Sequence, residues 1–571
     1  MRMQPEGRGR NLFQTDINLQ RVLARLLGQL LERWTDTLSA YGAWVGDAVD
    51  RAATYTDRHA PPTLKAYERD GRLVNCIVKN PSWQAVSQEV YRRGAVGLNY
   101  TDDPAPFVLT FAMGYLLSQA DVSLHCPVTM TGAVAYVLDR HGPAAVRERY
   151  LASLTRMDGA ALSGGTWATE LHGGSDIGGT TTTAHRVGDH FVLNGLKWFA
   201  SNPDGGLALA TARPKGASQG TKGLGLYLVP ARLDDGTLNP MRFRRLKDKL
   251  GTIGIPTAEI DLTDTWAVEV APPPDGFKLM MVALEYSRIH NAMGSTGLQR
   301  RAFAETFDYA SERRAFGDAI ANYAMVQDEL MEMLVRLEAG TALAFEAARA
   351  FDLADSARGQ DTDRRRAWLR LSTSLAKYQT AEDANRACRS AIEIIGGNGY
   401  TYDLVTPRLL RDAQVMTVWE GPANIQALEV LRLIADRYPG AKMFAERVES
   451  ALAAAPSGLG EIAAPIRGAL EDWRGALAFI RADEAEAARH ARRLMAFMAD
   501  ILAAALLLED ASASLAAGDC REALVARFFV ESRFFLPVRR GILPGRDWVH
   551  RHFQRLATYA AIEPPAAGKV W

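Results

Sequence analysis

The sequence predicts a mainly helical protein with one β domain in the middle of the chain. Apolar residues recur at three- and four-residue spacing before residue 160 and again after residue 273, which is the period of amphipathic helices. Between these regions apolar and polar positions alternate among glycine and asparagine turns, which is the pattern of strands. A chain of 571 residues also exceeds what one hydrophobic core usually serves, so we expect several domains.

The expected domains follow one another along the chain. They are an N-terminal extension at residues 1–35 with a helix near residues 19–34, an N-terminal helical domain at 36–160, an antiparallel β domain at 161–272, a helical bundle at 273–438 and an extra C-terminal helical domain at 439–571. In the β domain, residues 189–195 (Asp-His-Phe-Val-Leu-Asn-Gly) place a short strand between turns, as in a meander. Long helical periods at residues 327–352 and 368–395 predict the bundle.

The bulk composition favours a cytoplasmic protein. Lysine plus arginine and aspartate plus glutamate both number 66, so no global field favours nucleic acid or an anionic membrane. The four cysteines are scattered without a CxxC pair, which disfavours a structural zinc site or a disulfide framework, and we expect no metal. The first residues lack a signal-peptide pattern, and the apolar run at residues 501–508 is too short to span a bilayer, so we expect no membrane association.

Two motifs in the β domain have the chemistry of an anion and ring site. In Thr-Glu-Leu-His-Gly-Gly-Ser-Asp at residues 169–176, adjacent glycines let backbone N–H groups approach an anion, beside hydroxyl donors. In Lys-Trp-Phe-Ala-Ser-Asn at residues 197–202, aromatic rings precede a hydroxyl and could stack beside a planar heterocycle. Taken alone, each motif is more often structural, the first as an ordinary turn and the second as aromatic packing in a sheet core.

Two further motifs lie in the predicted bundle. Gly-Gly-Asn-Gly at residues 396–399 ends a long helix with more glycines than a C-cap needs, which indicates close approach of a ligand. Glu420 stands between bulky apolar residues and Gly421, a setting that would desolvate its carboxylate and raise its pKa toward that of a general base. A glutamate at a helix N-terminus is the structural alternative for Glu420.

In their order and spacing these motifs resemble those of the acyl-CoA dehydrogenase superfamily, over residues 80–435. Lys-x-Lys-x-Gly at 247–251 and Glu-Arg-Arg-Ala-Phe-Gly at 312–317 extend the resemblance. It implies the fold described above, FAD as the cofactor and a homo-oligomer, with a tetramer expected. The residues that it assigns to FAD are Ala168, Thr169, Gly174, Ser175, Phe199, Ser201, Arg313, Phe316, Gln327, Gly396, Gly397, Gly399 and Asn424.

The resemblance also assigns roles within the cofactor site. Phe199 would stack on the flavin ring and Ser201 would bond near N5, whereas Arg313 and Phe316 would reach the FAD of a neighbouring subunit. The family glutamine eight residues after that phenylalanine is replaced by Ala324, and Gln327, one helical turn later, is expected to substitute for it.

For the reaction, the resemblance implies that Glu420 removes the α-proton of an acyl thioester while a hydride leaves the β-carbon for the flavin. Some family members carry their base immediately before an arginine, but here Ser287 precedes Arg288. Glu420 is therefore the expected base, and Arg288 and Trp419 are expected at the substrate. The electron acceptor would be an electron-transfer flavoprotein or oxygen.

A narrower resemblance, to the AidB-type subgroup of this family, covers nearly the whole chain. Asn-Leu-Phe-Gln at residues 11–14 and Cys-Pro-Val-Thr-Met-Thr at 126–131 carry it, with the helical extension. It implies an association with DNA in an alkylation response. The extension is not basic overall, but it has arginines among aromatic residues: Arg533, Arg539, Arg540, Arg546, Arg551 and Arg555, with Phe534, Phe535, Trp548 and Phe553. Subunit contacts are the favoured interpretation of this cluster, and DNA the alternative.

The substrate remains open at this stage. The family's thioester-binding loop often has a serine near residues 251–257, where this chain has Ile255 and Pro256. Because a flavin supplies the redox chemistry and the pocket selects the molecule, an oxidase or monooxygenase acting on a substrate without CoA is the alternative to an acyl-CoA dehydrogenase.

Overall fold

The computed structural model describes residues 9–357, 361–535 and 547–564, which separate into two compact units. One unit comprises residues 44–290, and the other comprises the described residues before 44 and after 290. The α-helices are α1 Ile17–Leu27, α2 Leu30–Trp44, α3 Asp50–Arg58, α4 Pro81–Arg92, α5 Phe107–Ser118, α6 Val122–His141, α7 Ala144–Thr155, α8 Asp275–Glu312, α9 Ala324–Asp355, α10 Asp361–Ile395, α11 Thr406–Met416, α12 Ala423–Ile434, α13 Gly440–Ala454, α14 Gly460–Ala482, α15 Glu484–Ala516, α16 Arg521–Phe534 and α17 Asp547–Ala557. The strands are β1 Thr63–Tyr67, β2 Leu73–Val78, β3 Ser163–Trp167, β4 Thr183–Val187, β5 His190–Ser201, β6 Gly206–Pro214, β7 Gly225–Pro230, β8 Met241–Leu246, β9 Thr257–Ala271, β10 Arg314–Ala315 and β11 Asp318–Ala319.

The central sheet is mixed, which corrects the prediction of a wholly antiparallel β domain. Its order is β3-β6-β4-β5-β9-β7, with β8 beside β9 and an additional pairing of β6 with β7. The pairs β3–β6 and β4–β6 are parallel and the others antiparallel. Parallel pairing needs a long connection, and the chain between β3 and β6 contains both β4 and β5. The extra pairing closes β6, β4, β5, β9 and β7 into a ring.

Side chains inside this ring form the core of the β domain. Leu193, Tyr227 and Ile260 come from three of the strands and are fully buried. Burial alternates in β8, whereas all six residues of β7 are buried.

A β-hairpin lies within the segment that we predicted to be helical at residues 36–160. Strands β1 and β2 pair antiparallel, and Asn75 bonds them to β8 through the carbonyl of Met241 at 2.8 Å and the amide of Phe243 at 3.1 Å. The strands are only five and six residues long, too short for their period to stand out among longer helices. The rest of this segment contains α2 to α7.

The unit that contains the residues after 290 has two long helices that pack together, α9 and α10. They include the predicted helices at residues 327–352 and 368–395. The predicted helix near residues 19–34 is interrupted, because α1 ends before Gly28, whose φ of 54° leaves the helical region. The extension contains α13 to α17, and its apolar run at residues 501–508 is buried in α15. A mainly helical fold with a central β domain is thus confirmed, and the domain boundaries remain predictions.

Among the residues that the structure describes, no helix combines the length and apolar character needed to cross a membrane.

Candidate active site

The first motif, at residues 169–176, forms a loop between β3 and β4. Gly173 has a φ of 123° and donates its amide to the carbonyl of Glu170 at 3.0 Å, so the loop turns tightly at the paired glycines. A Cβ on Gly174 would lie 2.5 Å from Oγ1 of Thr169, so this position has room for hydrogen only. Within the described residues, the hydroxyls of Thr169 and of the exposed Ser175 have no hydrogen-bond partner. Both are therefore available to a ligand.

A buried ion pair connects this loop to the second motif. Nζ of Lys197 lies 2.8 Å from Oε1 of Glu170, and both side chains are almost fully buried. Thr181 and Thr182 donate their amides and hydroxyls to the same carboxylate, and the carbonyl of Thr211 accepts from Lys197 at 2.8 Å. The two motifs are thus held together by side chains that the sequence alone did not assign to structure.

The Glu170 carboxylate is held in its ionised form. Burial by itself raises the pKa of Glu170, but the Lys197 ammonium and the threonine donors outweigh it and lower the pKa to about 2. Burial also lowers the pKa of Lys197, which acts against its charged form. We treat the pair as ionised because two oxygen acceptors lie 2.8 Å from the ammonium.

The second motif occupies the end of strand β5. Phe199 is 53% exposed, whereas the neighbouring Ala200 is fully buried. Oγ of Ser201 lies 2.9 Å from Oγ1 of Thr257 on β9, and the amide of Trp198 bonds the carbonyl of Thr169 at 3.0 Å. The loop and the strand end therefore present an open aromatic ring and hydroxyl groups in one unit.

These residues fit a flavin nucleotide. Two unbonded hydroxyls stand beside a glycine turn that leaves no space for a Cβ, which suits a phosphate oxygen. A half-exposed phenylalanine on the adjoining strand offers a face to a planar ring. Ala168, Thr169, Gly174, Ser175, Phe199 and Ser201 all belong to this loop and strand end.

The segment that follows β8 is held by Lys249. Its Nζ donates to the carbonyls of Thr252 at 2.7 Å and Ile255 at 2.6 Å. Ile255 is 1% exposed, so the residue that stands where the family often has a serine packs into the protein. The amide of Asn202 bonds the carbonyl of Pro256 at 3.0 Å, which ties this segment to the second motif.

In the other unit, Glu420 lies in a turn between α11 and α12. Its φ is 60°, and the following Gly421 has a φ of 94°, so two consecutive residues are left-handed. Lys377 donates to the carbonyl of Gly421 at 2.9 Å, and Gln426 donates to the carbonyls of both residues at 3.1 Å. Asn291 of α8 bonds the carbonyl of Met416 at 3.2 Å. Buried polar side chains from three helices thus fix the backbone that carries the half-buried Glu420.

The expected substrate residues have different surroundings. Trp419 is half-buried, and its Nε1 is buried without a hydrogen-bond partner in the described part of the chain. Asn424, which the resemblance assigns to FAD and not to the substrate, is exposed in the first turn of α12. In the unit of residues 44–290, Arg288 is 5% exposed and lies 3.6 Å from the carboxylate of Glu285.

Arg313 and Phe316 belong to a small hairpin formed by β10 and β11. Phe316 stands at its turn with a φ of 53° and is 99% exposed, and Arg313 is also exposed. The turn is rigid, because Tyr323 donates its hydroxyl to the carbonyl of Ala315 at 2.7 Å. The hairpin thus holds an apolar ring out in solvent, as the prediction of a contact with a neighbouring subunit requires.

The glycine-rich motif that was predicted to end a long helix, at residues 396–399, forms a 3-10 turn at Gly396–Tyr400. Gly396 has a φ of 77°, and nothing lies within 4 Å of a Cβ placed on Gly396 or Gly397, whereas Gly399 is buried. Gly396 and Gly397 therefore present an open backbone surface, and Gly399 packs against the end of α10.

Gln327 has two hydrogen-bond partners within the chain. Its Nε2 donates to the carbonyl of Ala321 at 3.0 Å, and its Oε1 lies 2.9 Å from Nδ1 of His550 in α17. The expected contact of Gln327 with FAD stays a prediction. The side-chain amide would have to make that contact in addition to these two hydrogen bonds.

Some members of the arginine and aromatic cluster make contacts within the chain, whereas Arg551 and Phe535 are exposed. Arg533 lies 3.4 Å from Asp500, and Arg555 donates to the carbonyl of Ala561 at 2.7 Å. Phe553 and Trp548 are buried. Arg539, Arg540 and Arg546 lie outside the described residues.

Sequence reasoning missed a buried hydrogen-bond chain in the helical part of residues 44–290. Oγ of Ser118 lies 2.7 Å from Nδ1 of His125, whose Nε2 lies 2.8 Å from Nδ1 of His290. The partners come from α5, α6 and α8, and no local motif reveals a contact between residues 165 positions apart.

Comparison with known proteins matches three family models to residues 3–435 of the chain, with short gaps between them. The adaptive response protein AidB N-terminal domain matches residues 3–158, the acyl-CoA dehydrogenase middle domain residues 165–265, and the acyl-CoA dehydrogenase C-terminal domain residues 274–435. The chain is 33% identical to acyl-CoA dehydrogenase family member 11 of Caenorhabditis elegans over 456 residues, which is 77% of this chain and 73% of that protein. It is 31% identical to the putative acyl-CoA dehydrogenase AidB of Escherichia coli K12 over 413 residues, 70% of this chain and 74% of that protein.

The fold is shared with a solved structure over almost its whole length. The crystal structure of Caenorhabditis elegans ACDH-11 in complex with C11-CoA superimposes with a TM-score of 0.87 and 29% sequence identity. The match covers 97% of this chain and 96% of that one, so it includes the C-terminal extension.

Proposed function

Because the chain belongs to the acyl-CoA dehydrogenase family, whose members are FAD-dependent oxidoreductases, we propose that it binds FAD and oxidises an acyl-CoA at its α and β carbons. The observation that carries the proposal is the pair of linked motifs at residues 169–176 and 197–202. They combine a glycine turn, two unbonded hydroxyls and an open aromatic ring within one unit.

In this proposal the loop and strand residues bind the cofactor. Thr169 and Ser175 would donate hydroxyls, with Ser175 at the pyrophosphate, and Phe199 would stack on the ring system. When bound, the flavin would supply the acceptor for the hydride equivalent that leaves the β-carbon of the substrate. The Glu170–Lys197 pair keeps the loop and the strand in register while the ligand binds.

Glu420 is proposed as the base that takes the α-proton. Lys377 and Gln426 fix the backbone of the turn, so the carboxylate of Glu420 reaches a substrate from a defined point of the chain. The unpartnered indole N–H of Trp419 is a donor beside it that an acyl substrate could use. Arg288 is proposed to contact the substrate, as the family resemblance implies.

The substrate is proposed to be an acyl-CoA thioester. Support comes from the likeness over 97% of the chain to a structure that contains C11-CoA. The buried Ile255 in the segment after β8 does not oppose a thioester, since Lys249 holds that segment through backbone carbonyls. The electron acceptor separates two forms of the proposal, namely an electron-transfer flavoprotein for a dehydrogenase and oxygen for an oxidase.

The active form is proposed to be a homo-oligomer, with a tetramer expected from the family resemblance. The supporting observation is Phe316, which is 99% exposed on a rigid hairpin beside the exposed Arg313. Gly396 and Gly397 offer an open turn for the adenosine end of the cofactor.

The proposal is tested by anaerobic titration of the holoprotein with saturated acyl-CoAs of graded chain length. We expect bleaching of the flavin absorption by the wild type. In Glu420→Gln, FAD should be retained while bleaching slows by about 10²–10⁴-fold, the usual contribution of a general base. Glu449→Gln, an exposed glutamate paired with Arg474, is the matched control and should bleach normally.

Wild-type protein that holds FAD but is bleached by none of the thioesters would exclude this substrate class. A Glu420→Gln variant that is bleached at the wild-type rate would exclude the assigned base. Rapid reoxidation of the reduced protein by air would favour the oxidase form over the dehydrogenase.

A further inference from the structure

Lys247 lies over the two aromatic rings of the second motif. Its Nζ is 3.4 Å from the ring centroid of Trp198 and 4.7 Å from that of Phe199. Both distances are within the range of about 6 Å for a cation–π interaction. The side chain of Lys247 is 9% exposed and that of Phe199 is half exposed. A nearly buried cation therefore contacts a ring that is open to a ligand.

A β-bulge brings both rings within reach of one ammonium. The register of β5 against β9 shifts between residues 197 and 200, so that Trp198 and Phe199 together oppose Glu259. A bulge interrupts the alternation of side chains between the two faces of a strand and redirects them, often beside an active site. Without the extra residue, adjacent rings on a regular strand would point to opposite faces.

Lys247 is held firmly in this position. Its Nζ lies 2.7 Å from Oε1 of Glu259, and its amide donates to the carbonyl of Thr257 at 2.8 Å. Arg245 also lies 2.7 Å from Glu259. Burial raises the pKa of Glu259, but hydrogen bonds from Lys247 and Arg245 outweigh it and lower the pKa. One carboxylate thus faces two cations, of which Lys247 is the one that contacts the rings.

We propose that Lys247 is a positioning residue for the flavin, which fixes the orientation of Phe199 and supplies a permanent positive charge beside the ring that the flavin contacts. This inference rests on the proposed binding of FAD at the second motif. Reduction adds negative charge to a flavin, so a fixed cation nearby favours the reduced form. Removal of the cation should therefore lower the midpoint potential, and removal of its carboxylate partner should raise it.

The experiment compares Lys247→Met, Lys247→Arg and Glu259→Gln with the wild type as holoproteins. The midpoint potential is measured by equilibrium titration with a redox dye, and the FAD dissociation constant by flavin fluorescence. We expect a lower potential and a dissociation constant raised about two- to fivefold in Lys247→Met, a range set by cation–π energies. Lys247→Arg should keep the midpoint potential and the FAD dissociation constant near those of the wild type. Glu259→Gln should raise the midpoint potential.

Lys65→Met is the matched control, because Lys65 is an exposed lysine of the same unit that pairs with Glu68 at 2.8 Å. It should leave the potential and the affinity unchanged. A Lys247→Met variant with the potential and affinity of the wild type overturns the inference. If Lys247→Met does not retain FAD, the midpoint potential of Glu259→Gln tests the inference in its place. A potential of Glu259→Gln at or below that of the wild type overturns the inference. A wild-type protein that takes up no FAD overturns the proposed function itself, and this inference with it.

Discussion

At the scale of single residues, the Glu170–Lys197 pair explains why charged residues occur within the two motifs that we propose to bind FAD. Both side chains are buried, and the ammonium of Lys197 pairs with the carboxylate of Glu170. That carboxylate also accepts four hydrogen bonds from the amides and hydroxyls of Thr181 and Thr182. Removal of one partner leaves the other as an uncompensated buried charge, which is more costly than the absence of both. These two buried residues therefore link the loop that carries Thr169 to the strand that carries Phe199.

We expect Lys197→Met to lower the free energy of unfolding by about 3–5 kcal/mol at neutral pH, because Glu170 is left charged and buried. Urea unfolding followed by circular dichroism measures the effect. Lys65→Met, which removes an exposed ion pair with Glu68, should change the value by less than about 1 kcal/mol. Adding Glu170→Gln to Lys197→Met should recover part of the loss, and no recovery would contradict the explanation.

Residue types and their spacing were enough to predict the tight glycine turn within residues 169–176, whereas the roles of these residues stay predictions. The left-handed backbone of Glu420 and Gly421 was not predicted. The position of Lys247 could not be predicted, because it depends on a bulge that is defined only by the pairing of β5 with β9. The internal bonds of Gln327 were equally hidden, since they involve His550, more than 200 residues away.

At the scale of secondary structure, the Ser118–His125–His290 chain connects α5, α6 and α8. Because the Ser118 hydroxyl donates to the carbonyl of Gly114 at 2.9 Å, its oxygen accepts from Nδ1 of His125. Nε2 of His125 then accepts from Nδ1 of His290. Burial lowers the pKa of His125 to about 3, and burial with the neighbouring His125 lowers the pKa of His290 well below its usual value. Both rings are therefore neutral in the folded protein.

This neutrality predicts acid sensitivity. Unfolded histidines bind a proton near pH 6.5, whereas His125 in the folded protein does so only near pH 3, so stability decreases as the pH falls below about 6.5. Each neutral histidine contributes a slope of up to about 1.4 kcal/mol per pH unit in this window. Thermal unfolding midpoints between pH 7.5 and 5 should therefore fall more steeply for the wild type than for the double variant His125→Gln, His290→Gln. Equal slopes would contradict this.

The long helices of the bundle could be predicted, and the short hairpin of β1 and β2 could not. Helices α9 and α10 run for 32 and 35 residues, and their period is evident over many turns. The hairpin of β1 and β2 has too few residues for its alternation to stand out. The parallel pairing of β3 with β6 joins strands separated by two others, and local sequence patterns contain no information on such partners.

At the scale of the whole molecule, the C-terminal extension is joined to the bundle by buried ion pairs. Arg521 of α16 is fully buried, lies 2.6 Å from Glu338 of α9 and stacks over Tyr559 at 4.0 Å. Arg447 of α13 bridges Glu346 of α9 and Glu509 of α15. These contacts unite the predicted extension with the bundle in one compact unit. The extension is therefore an integral part of that unit's core.

Oligomer formation is tested at the exposed hairpin. Phe316 is 99% exposed in one chain, and burial of its ring by a partner would stabilise the proposed subunit contact, so we expect Phe316→Ser to reduce the molecular mass in sedimentation velocity and to weaken FAD binding. Val187→Ser, which changes another exposed apolar residue on strand β4, should affect neither. A variant at Phe316 with unchanged mass and cofactor content would exclude the hairpin from the subunit contact.

The most direct measurement for the whole account is the flavin content of the purified protein. The protein is incubated with excess FAD, freed of unbound cofactor by gel filtration, denatured, and assayed for released flavin by absorption. We expect about one FAD per chain, as for a stoichiometric redox cofactor. Protein that emerges colourless, with no flavin released on denaturation, would contradict the account.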